Sequence, residues 1–327
     1  MKAWLLDDFS GLTHLRMEEV ADPIHGDGEV VVDLEYAALN PADRYLAQGQ
    51  YPAKPPLPHV LGRDGVGVIS AAGKNAQPFQ VGQRVLVIRG DTGVKRWGTF
   101  AQRVAVNVDS LAVPPQGWSV PESAGAALVY LTAYQALTQW GDLPPSVVLV
   151  TGASGGVGVA SIQLAKAMKH TVVALSRVSG KRNQLSQLGA DYVVDASDPQ
   201  WPENVKKILA PRRVDLAIDN IGGEEFGRII ETLGNLGKIS VVGMLGGLIP
   251  QFNTASLIFR RLRVGGVAVG AFSRPEAHAA WNALVSMLAR SNAKPLVDHI
   301  FPFEDLPAAF DRLAAGPMGK VLLQIKV

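Results

Sequence analysis

The sequence predicts an α/β protein in which a doubly wound parallel sheet occupies the centre of the chain and follows a β-rich first third. From Val147 onward, short apolar runs alternate with helical segments, as in parallel strands connected by helices. Before that point, strand-like runs at 30–36, 66–71 and 84–88 are separated by stretches rich in Gly and Pro, which is typical of a small barrel or sandwich with long loops. The chain has 327 residues, enough for two domains with a core each.

The central sheet is predicted strand by strand. The residues Val147–Val150 are all apolar, which is typical of a strand buried on both faces of a parallel sheet. Further strands are predicted at 171–175, 192–194, 216–218 and 238–242, with helices at about 159–169 and 181–188. Outside this region, the apolar spacing predicts helices at 122–140, 275–290 and 306–314 and strands at 263–269 and 321–325.

The charge and the cysteine content exclude several classes of protein. A net charge of +2 indicates neither a nucleic-acid partner nor binding to an anionic membrane. The absence of cysteine excludes disulfides, thiolate zinc sites and a cysteine nucleophile, and it fits a reducing compartment. No secretory signal is visible in the sequence, and no apolar run reaches the length of a membrane span. We therefore expect a cytoplasmic protein without a nucleic-acid or membrane partner.

A glycine-rich segment, TGASGGVG at 151–158, lies between a predicted strand and a predicted helix. It matches the G-x-G-x-x-G pattern of dinucleotide-binding Rossmann folds, with Ala153 at the first glycine position. In this pattern Gly155 lets the backbone approach a pyrophosphate, and Gly158 lets the helix pack closely on the strand. The first turn of the helix then offers free N–H groups to the phosphates. We predict that this loop binds the phosphates of a dinucleotide.

The residues after the second strand of this unit indicate the choice of dinucleotide. An acidic residue there would bind the ribose 2′-hydroxyl of NADH, but the sequence has Ser176 and Arg177, followed by Lys181 and Arg182. A guanidinium can bind a 2′-phosphate through two hydrogen bonds. The alternative is a solvated basic helix start, which the helix dipole disfavours. The pattern predicts NADPH, with Arg177 and Lys181 among its ligands.

Several short motifs are spread over nearly the whole chain. They are LNPAD at 39–43, GQYP at 49–52, LGRDGVG at 61–67, LTAY at 131–134, LGAD at 188–191 and GKV at 319–321, besides the glycine loop. In this order they resemble the zinc-free, zeta-crystallin-like quinone oxidoreductase group of the medium-chain dehydrogenase/reductase family. The resemblance implies a Rossmann domain at 122–270 and a GroES-like, β-barrel-type catalytic domain formed by 1–121 and 271–327.

The resemblance also bears on metal binding. Zinc-containing members of the family hold a catalytic zinc with a Cys, a His and a further Cys or acidic residue, and the first two positions match Asn40 and Arg63. Neither side chain is a thiolate or an imidazole, and the six histidines show no metal-ligand spacing. We expect no metal, a buried ion pair of Arg63 with Asp64 at the former metal position, and His59 in a loop without a catalytic role.

By the same resemblance, Asn40 and Tyr51 lie at the nicotinamide pocket. Asn40 would orient the substrate or the nicotinamide ribose, and Tyr51 would donate a hydrogen bond or a proton to the developing enolate. The alternative for Tyr51 is packing of a Pro-rich loop. The family implies cofactor contacts in the glycine loop, at Ser154, Gly155, Gly156 and Val157. It also implies contacts at Tyr45, Thr132, Asn220, Gly243, Met244, Leu245, Val267 and Val269.

Without zinc, a simple ketone lacks its electrophile, whereas hydride can add to the conjugated carbon of a quinone or an α,β-unsaturated carbonyl. We therefore expect an NADPH-dependent quinone or enone reductase. One alternative is a 2-enoyl-thioester reductase for CoA- or carrier-linked chains, which a basic surface from Arg44, Lys54 or Arg63 would favour. Another is an NADPH-binding structural protein with little turnover. The family also implies a homodimer, formed through an edge strand at 263–269.

Overall fold

The computed structural model describes residues 1–88 and 90–326. It divides the chain into two compact units. Unit 1 comprises Met1–Leu128, Phe272–Trp281 and Lys294–Val327, and unit 2 comprises Val129–Ala271 and Asn282–Ala293. Within the described residues, no helix combines the length and the apolar character that crossing a membrane requires.

The described residues form sixteen strands. In chain order they are β1 (Lys2–Leu6), β2 (Leu15–Glu19), β3 (Glu29–Ala38), β4 (His59–Val60), β5 (Asp64–Ala72), β6 (Arg84–Val87), β7 (Arg103–Asn107), β8 (Leu111–Ala112), β9 (Val147–Val150), β10 (Thr171–Ser176), β11 (Tyr192–Asp195), β12 (Val214–Asp219), β13 (Leu233–Val241), β14 (Arg263–Gly266), β15 (Val297–Pro302) and β16 (Lys320–Gln324).

The same residues form ten α-helices. They are α1 (Pro41–Ala47), α2 (Val120–Ala124), α3 (Ala127–Thr138), α4 (Gly156–Ala167), α5 (Ser179–Gln187), α6 (Trp201–Leu209), α7 (Glu224–Thr232), α8 (Ala255–Arg260), α9 (Arg274–Ser291) and α10 (Leu306–Ala314).

Unit 1 is built from two sheets. A seven-stranded sheet has the order β15-β16-β3-β5-β6-β8, with β7 paired to β3, and a three-stranded sheet has the order β2-β1-β4. The ten-residue strand β3 organises the larger sheet, because it pairs with β16, β5 and β7. Its alternate residues Val30, Val32 and Leu34 are buried in one core cluster, as the two-residue period of a strand requires.

Unit 2 contains a six-stranded sheet in the order β11-β10-β9-β12-β13-β14, and every neighbouring pair is parallel. The sheet confirms the predicted α/β class with a doubly wound parallel sheet. All four residues of β9 are buried, as expected for a central strand of such a sheet. The core beside it includes Leu149, Val173, Trp201 and Phe226.

Several element boundaries differ from those expected. The helix predicted at 122–140 is two helices, α2 and α3, since α2 ends at its cap residue Gly125. The strand predicted at 263–269 ends at Gly266, after which Val269–Ala271 forms a 3-10 turn. Helices α6 and α7 have no counterpart in the sequence prediction. Residue His59, expected in a loop, lies on the short strand β4, which pairs with β1.

Candidate functional site

The glycine loop lies between β9 and α4 of unit 2, as the motif predicts. Strand β9 ends at Val150 and helix α4 begins at Gly156. A Cβ atom on Gly158 would lie 2.4 Å from the carbonyl oxygen of Gly152, so the helix can pack this closely only with glycine at this position. The N-cap residue Gly155 provides no side-chain cap. The first N–H groups of α4 therefore lack the side-chain acceptor that usually occupies them.

The carboxyl ends of the parallel strands bring several predicted cofactor residues to one edge of the sheet. Strands β12, β13 and β14 end in register, with Asp219 opposite Val241 and Val241 opposite Gly266. Ligands of open α/β sheets bind outside this edge. Predicted residues that follow these strands are Asn220, Gly243, Met244, Leu245, Val267 and Val269.

Asn220 is tied to the glycine loop. Its backbone N–H donates to Thr151 Oγ1 at 2.9 Å, and its Nδ2 donates to the Thr151 carbonyl at 2.7 Å. Thr151 Oγ1 in turn donates to Asp219 Oδ1 at 3.0 Å. Asn220 Oδ1 is buried and has no hydrogen-bond partner among the described residues. An unpaired buried acceptor beside the glycine loop is a group that a bound ligand can satisfy.

The basic residues predicted to select the dinucleotide differ in their surroundings. Arg177 directly follows β10 and is exposed, with no ion-pair partner in the described part of the chain. Arg182 is paired with Asp195 at the end of β11. Lys181 lies in the first turn of α5, which contains no acidic residue.

Two further predicted cofactor residues belong to helices rather than to the segments that follow these strands. Thr132 is a partly buried residue of α3. Tyr45 belongs to α1 in unit 1, where burial raises the pKa of its phenol. The Tyr45 hydroxyl is buried without a hydrogen-bond partner among the described residues.

In unit 1, the position that matches the family's first zinc ligand is part of a buried hydrogen-bond network. Asn40 is 2% exposed, and its Nδ2 donates to Asp64 Oδ2 at 3.0 Å. The Lys320 ammonium donates to Asn40 Oδ1 at 2.6 Å and to the Leu39 carbonyl at 2.8 Å, and it lies 3.4 Å from Asp64 Oδ2. Both ends of the Asn40 amide are therefore used inside the protein. Burial lowers the pKa of Lys320, and the carboxylate of Asp64 opposes that shift.

The expected ion pair of Arg63 with Asp64 is wrong. Asp64 contacts Lys320, as well as the backbone N–H of Leu128 at 3.1 Å. Arg63 instead donates from Nη1 to the Tyr51 hydroxyl at 3.0 Å, and its guanidinium lies 4.3 Å from the centre of the Tyr51 ring. Asp64 is the first residue of β5, whereas Arg63 precedes the strand, and the two neighbours in sequence have different partners.

Asp43, to which the sequence motifs assign no functional role, lies beside the guanidinium of Arg63. Its Oδ1 is 3.7 Å from Arg63 Nε, and its Oδ2 accepts a hydrogen bond from the Asn40 backbone N–H at 2.8 Å. Burial raises the pKa of the Asp43 carboxyl to about 6, although the charge of Arg63 acts in the opposite direction. The only sequence signal for this contact is the acidic third residue of a helix that starts with Pro41, which is typical of a capping box.

Within the described residues, no group of three or more His, Cys, Asp or Glu side chains is placed to hold a metal ion. His59 is 1% exposed, and burial lowers the pKa of its imidazole to about 4. The histidine is therefore neutral at physiological pH.

The residues of unit 2 fit a nicotinamide dinucleotide. The first turn of α4 offers N–H donors, and the unpaired Asn220 Oδ1 offers an acceptor. The exposed Arg177 offers a cation. Dinucleotides bind at the carboxyl edge of such sheets, next to the start of a helix.

Comparison with known proteins identifies both parts of the chain. The family model "Alcohol dehydrogenase GroES-like domain" matches residues 26–116, and the model "Zinc-binding dehydrogenase" matches residues 156–290. The human synaptic vesicle membrane protein VAT-1 homolog is 28% identical over 346 residues, which cover 99% of this chain and 86% of the relative. The human quinone oxidoreductase is 26% identical and covers 99% of this chain, with 97% of its own length aligned.

Solved structures show the same fold. The crystal structure of an NAD-dependent alcohol dehydrogenase superimposes with a TM-score of 0.91 and 29% identity, over 100% of both chains. The Escherichia coli quinone oxidoreductase complexed with NADPH superimposes with a TM-score of 0.90 over 99% of this chain and 100% of the other, at 24% identity. The two domain models occur in the expected order and together match more than half of the residues. The chain therefore belongs to the medium-chain dehydrogenase/reductase family of nicotinamide-dependent oxidoreductases, with quinone oxidoreductases among its relatives.

Proposed function

We propose that this protein binds NADPH and reduces quinones or α,β-unsaturated carbonyls by hydride transfer without zinc. The observation that carries the choice of cofactor is Arg177, an exposed guanidinium directly after β10 that no described carboxylate neutralises. Asp195 lies beside Ser176 in the sheet, but Arg182 is paired with it. A 2′-phosphate at this position would therefore meet Arg177, and Lys181 follows in the first turn of α5.

The conformation of the glycine loop supports dinucleotide binding in general. A Cβ atom on Gly155 would meet only the Gly152 carbonyl oxygen, at the ordinary contact distance of 3.5 Å. Packing within the chain therefore does not require glycine at this position. The close approach of a pyrophosphate to the backbone does require it, and we assign Gly155 to that role.

The choice between NADPH and NADH can be tested with two arginine variants. We expect Arg177→Ala to weaken NADPH binding by about 10- to 100-fold, because a charge-assisted contact to the phosphate is lost. NADH binding should change by less than about twofold, since NADH has no 2′-phosphate. Arg182→Ala is the matched control, because it removes the same charge from a residue that is already paired with Asp195.

Dissociation constants from fluorescence titration of both dinucleotides measure the effect. One structural relative is named an NAD-dependent enzyme, so NADH is the competing cofactor. Tighter binding of NADH than of NADPH by the unmodified protein would refute the choice. So would equal losses for both dinucleotides in Arg177→Ala.

The side chains at the positions of the family's zinc ligands support a reaction without a metal. Asn40 and Arg63 are an amide and a guanidinium, neither of which is a usual zinc ligand. The Lys320 ammonium contacts Asn40 directly and is a buried cation in this region. When bound, a reduced nicotinamide supplies a hydride. A conjugated acceptor suits such a site, because the charge that develops spreads onto oxygen and hydrogen-bond donors can stabilise it there.

Tyr51 is the proposed proton donor, whereas Asn40 is assigned to the buried network with Asp64 and Lys320. Among the described residues, no acceptor binds the Tyr51 O–H, whereas the amide of Asn40 is used at both ends. As the acceptor takes up hydride, the Tyr51 O–H proton passes to it, and the phenolate regains a proton from solvent. Tyr51 also packs against the core of unit 1, so packing and proton donation are compatible roles.

Substitution of this phenol tests the role. We expect Tyr51→Phe to lower kcat by about 100-fold or more with quinones and enals. Tyr36→Phe, which removes a phenol oxygen from strand β3, is the control and should leave kcat within about twofold. Unchanged turnover of Tyr51→Phe with every acceptor would remove Tyr51 from the mechanism.

The enoyl-thioester alternative has less support. It would be favoured by a basic surface for the phosphates of CoA, yet Arg63 is largely buried against Tyr51. Lys54 binds the Gly49 carbonyl, and Arg44 lies 5.9 Å from the ring of Tyr45. Rates of NADPH oxidation across a panel of quinones, enals and enoyl-CoA esters separate the two functions. A panel in which no acceptor supports turnover would favour the non-catalytic alternative.

We further propose a homodimer formed through strand β14. This strand ends the six-stranded sheet, and its Val264 is 44% exposed. Other large exposed apolar side chains lie in the segment that connects β13 to β14, at Leu248, Ile249, Ile258 and Phe259. An unpaired strand edge with apolar neighbours is a common pairing surface. Sedimentation of the unmodified protein should give twice the 34.8 kDa of the chain, and a monomer would refute the dimer.

A further inference from the structure

Arg63 makes two contacts with the same phenol. Its Nη1 donates a hydrogen bond to the Tyr51 hydroxyl at 3.0 Å, and its guanidinium lies over the Tyr51 ring, 4.3 Å from the ring centre. A hydrogen bond alone would leave the ring free to tilt, and a cation–π contact alone would leave the hydroxyl free to rotate. Together the two contacts fix both the plane of the ring and one lone pair of its oxygen.

The remaining nitrogen atoms of Arg63 are not available to a ligand. Nε and Nη2 are buried, and neither has a hydrogen-bond partner among the described residues. The side chain as a whole is 11% exposed. A substrate outside the protein surface therefore cannot bind Nε or Nη2 directly, and the hydrogen bond from Nη1 is the contact by which Arg63 acts on Tyr51.

Asp43 lies next to the Nε atom of the Arg63 guanidinium. Its carboxyl is fully buried, with Oδ1 3.7 Å from Arg63 Nε. The other oxygen, Oδ2, accepts the Asn40 backbone N–H at the start of α1. The carboxylate is thus fixed by the helix, and the long Arg63 side chain is held between a fixed carboxylate and the phenol. These contacts on two sides reduce the number of rotamers that Arg63 can adopt.

The contact also determines where the phenol proton points. Because the Tyr51 oxygen accepts a hydrogen from Arg63, which is always protonated and has no acceptor, the O–H hydrogen must be directed elsewhere. Among the described residues no acceptor binds it. We infer that Arg63 is a positioning residue, which holds the Tyr51 ring and directs the Tyr51 O–H toward the reacting acceptor. This inference rests on the proposed role of Tyr51 as proton donor.

A double-mutant cycle tests the inference. The variants are Arg63→Met, Tyr51→Phe and the two combined, assayed for NADPH oxidation with a quinone and an enal. We expect Arg63→Met to lower kcat by about tenfold, the size of one lost hydrogen bond, with the dissociation constant for NADPH unchanged. In the Tyr51→Phe background, the same substitution should change kcat by less than about twofold, since its target is gone.

A solvent-deuterium isotope effect provides a readout that a purely structural role would not move. Arg63→Met should increase this effect on kcat, because proton donation by a misdirected phenol becomes slower. Arg63→Lys keeps the charge but loses the planar guanidinium, so it should recover part of kcat. If Arg63→Met does not fold, the comparison is made with Arg63→Lys and Arg63→Gln in both backgrounds.

The outcomes distinguish failure of the inference from failure of the proposed function. Equal losses of kcat in both backgrounds, or full activity of Arg63→Met, would overturn the positioning role while Tyr51 kept its own. Full activity of Tyr51→Phe would instead refute the proton donor, and the inference would fall with it.

Discussion

Replacement of Lys320 by Met should destabilise unit 1 strongly. The Lys320 side chain is 5% exposed and that of Asp64 is 2% exposed. The ammonium satisfies Asn40 Oδ1, the Leu39 carbonyl and the carboxylate of Asp64. Met fills a similar volume but donates no hydrogen bond. The substitution therefore leaves a buried carboxylate without its cation and two oxygen atoms without a donor.

The size of the effect follows from these contacts. Removal of one partner from a buried ion pair costs about 3–5 kcal/mol, because the other charge stays desolvated and unpaired. Asp64 keeps its hydrogen bonds from Asn40 and from the Leu128 N–H, which places the expected loss near the lower end, at about 3 kcal/mol. That is a large fraction of the roughly 5–15 kcal/mol by which proteins are stable.

The control is the double variant Lys320→Met/Asp64→Asn, which removes both charges. It should be more stable than Lys320→Met alone by about 1–2 kcal/mol, since no unpaired charge is left buried. Urea unfolding followed by tryptophan fluorescence reports the difference, and Trp4, Trp97, Trp118 and Trp281 all belong to unit 1. A single variant within about 1 kcal/mol of the unmodified protein, or a double variant that is less stable than the single one, would refute the reasoning.

Three further predictions concern Asp43, Gly158 and Ser119. Burial raises the pKa of Asp43 from 3.8 to about 6, so its contribution to stability is full below pH 3.8 and is lost as the pH rises through 6. Asp43→Asn does not titrate at this position, and its free energy of unfolding relative to the unmodified protein should rise by about 2 kcal/mol between pH 4 and pH 7; the same difference at both pH values in urea unfolding would contradict this. Gly158→Ala forces a Cβ within 2.4 Å of the Gly152 oxygen, so NADPH binding in a fluorescence titration should weaken at least tenfold, and unchanged affinity would exclude the tight packing. Ser119→Ala removes the acceptor of the Glu122 N–H at the start of α2 and should cost about 1 kcal/mol in thermal unfolding, whereas an unchanged melting temperature would mean that the cap is dispensable.

Local patterns in the sequence predicted much of unit 2. Residues 147–150 were predicted as a buried strand and form β9, and the glycine loop lies where its motif requires. Helices α6 and α7 are not among the predicted elements, although the sequence of α6 has apolar residues at helical spacing. The buried residues of α6 include Trp201, Val205 and Leu209 at helical spacing. Pro202 near the start of α6 is compatible with a helix, because the first turn does not need its N–H.

The sequence by itself determined the class of protein, because strand periodicity and the glycine motif depend on residues that are close together in the chain. Partners of the buried charges were decided only by the tertiary structure. Lys320 lies 256 residues beyond Asp64 in the chain, yet it takes the place that Arg63, next to Asp64, was expected to fill. Arg63 instead contacts Tyr51 and Asp43. Burial of a charged side chain costs desolvation free energy, which a partner of opposite charge offsets. The packed strands and helices determine which partner lies within reach of the side chain.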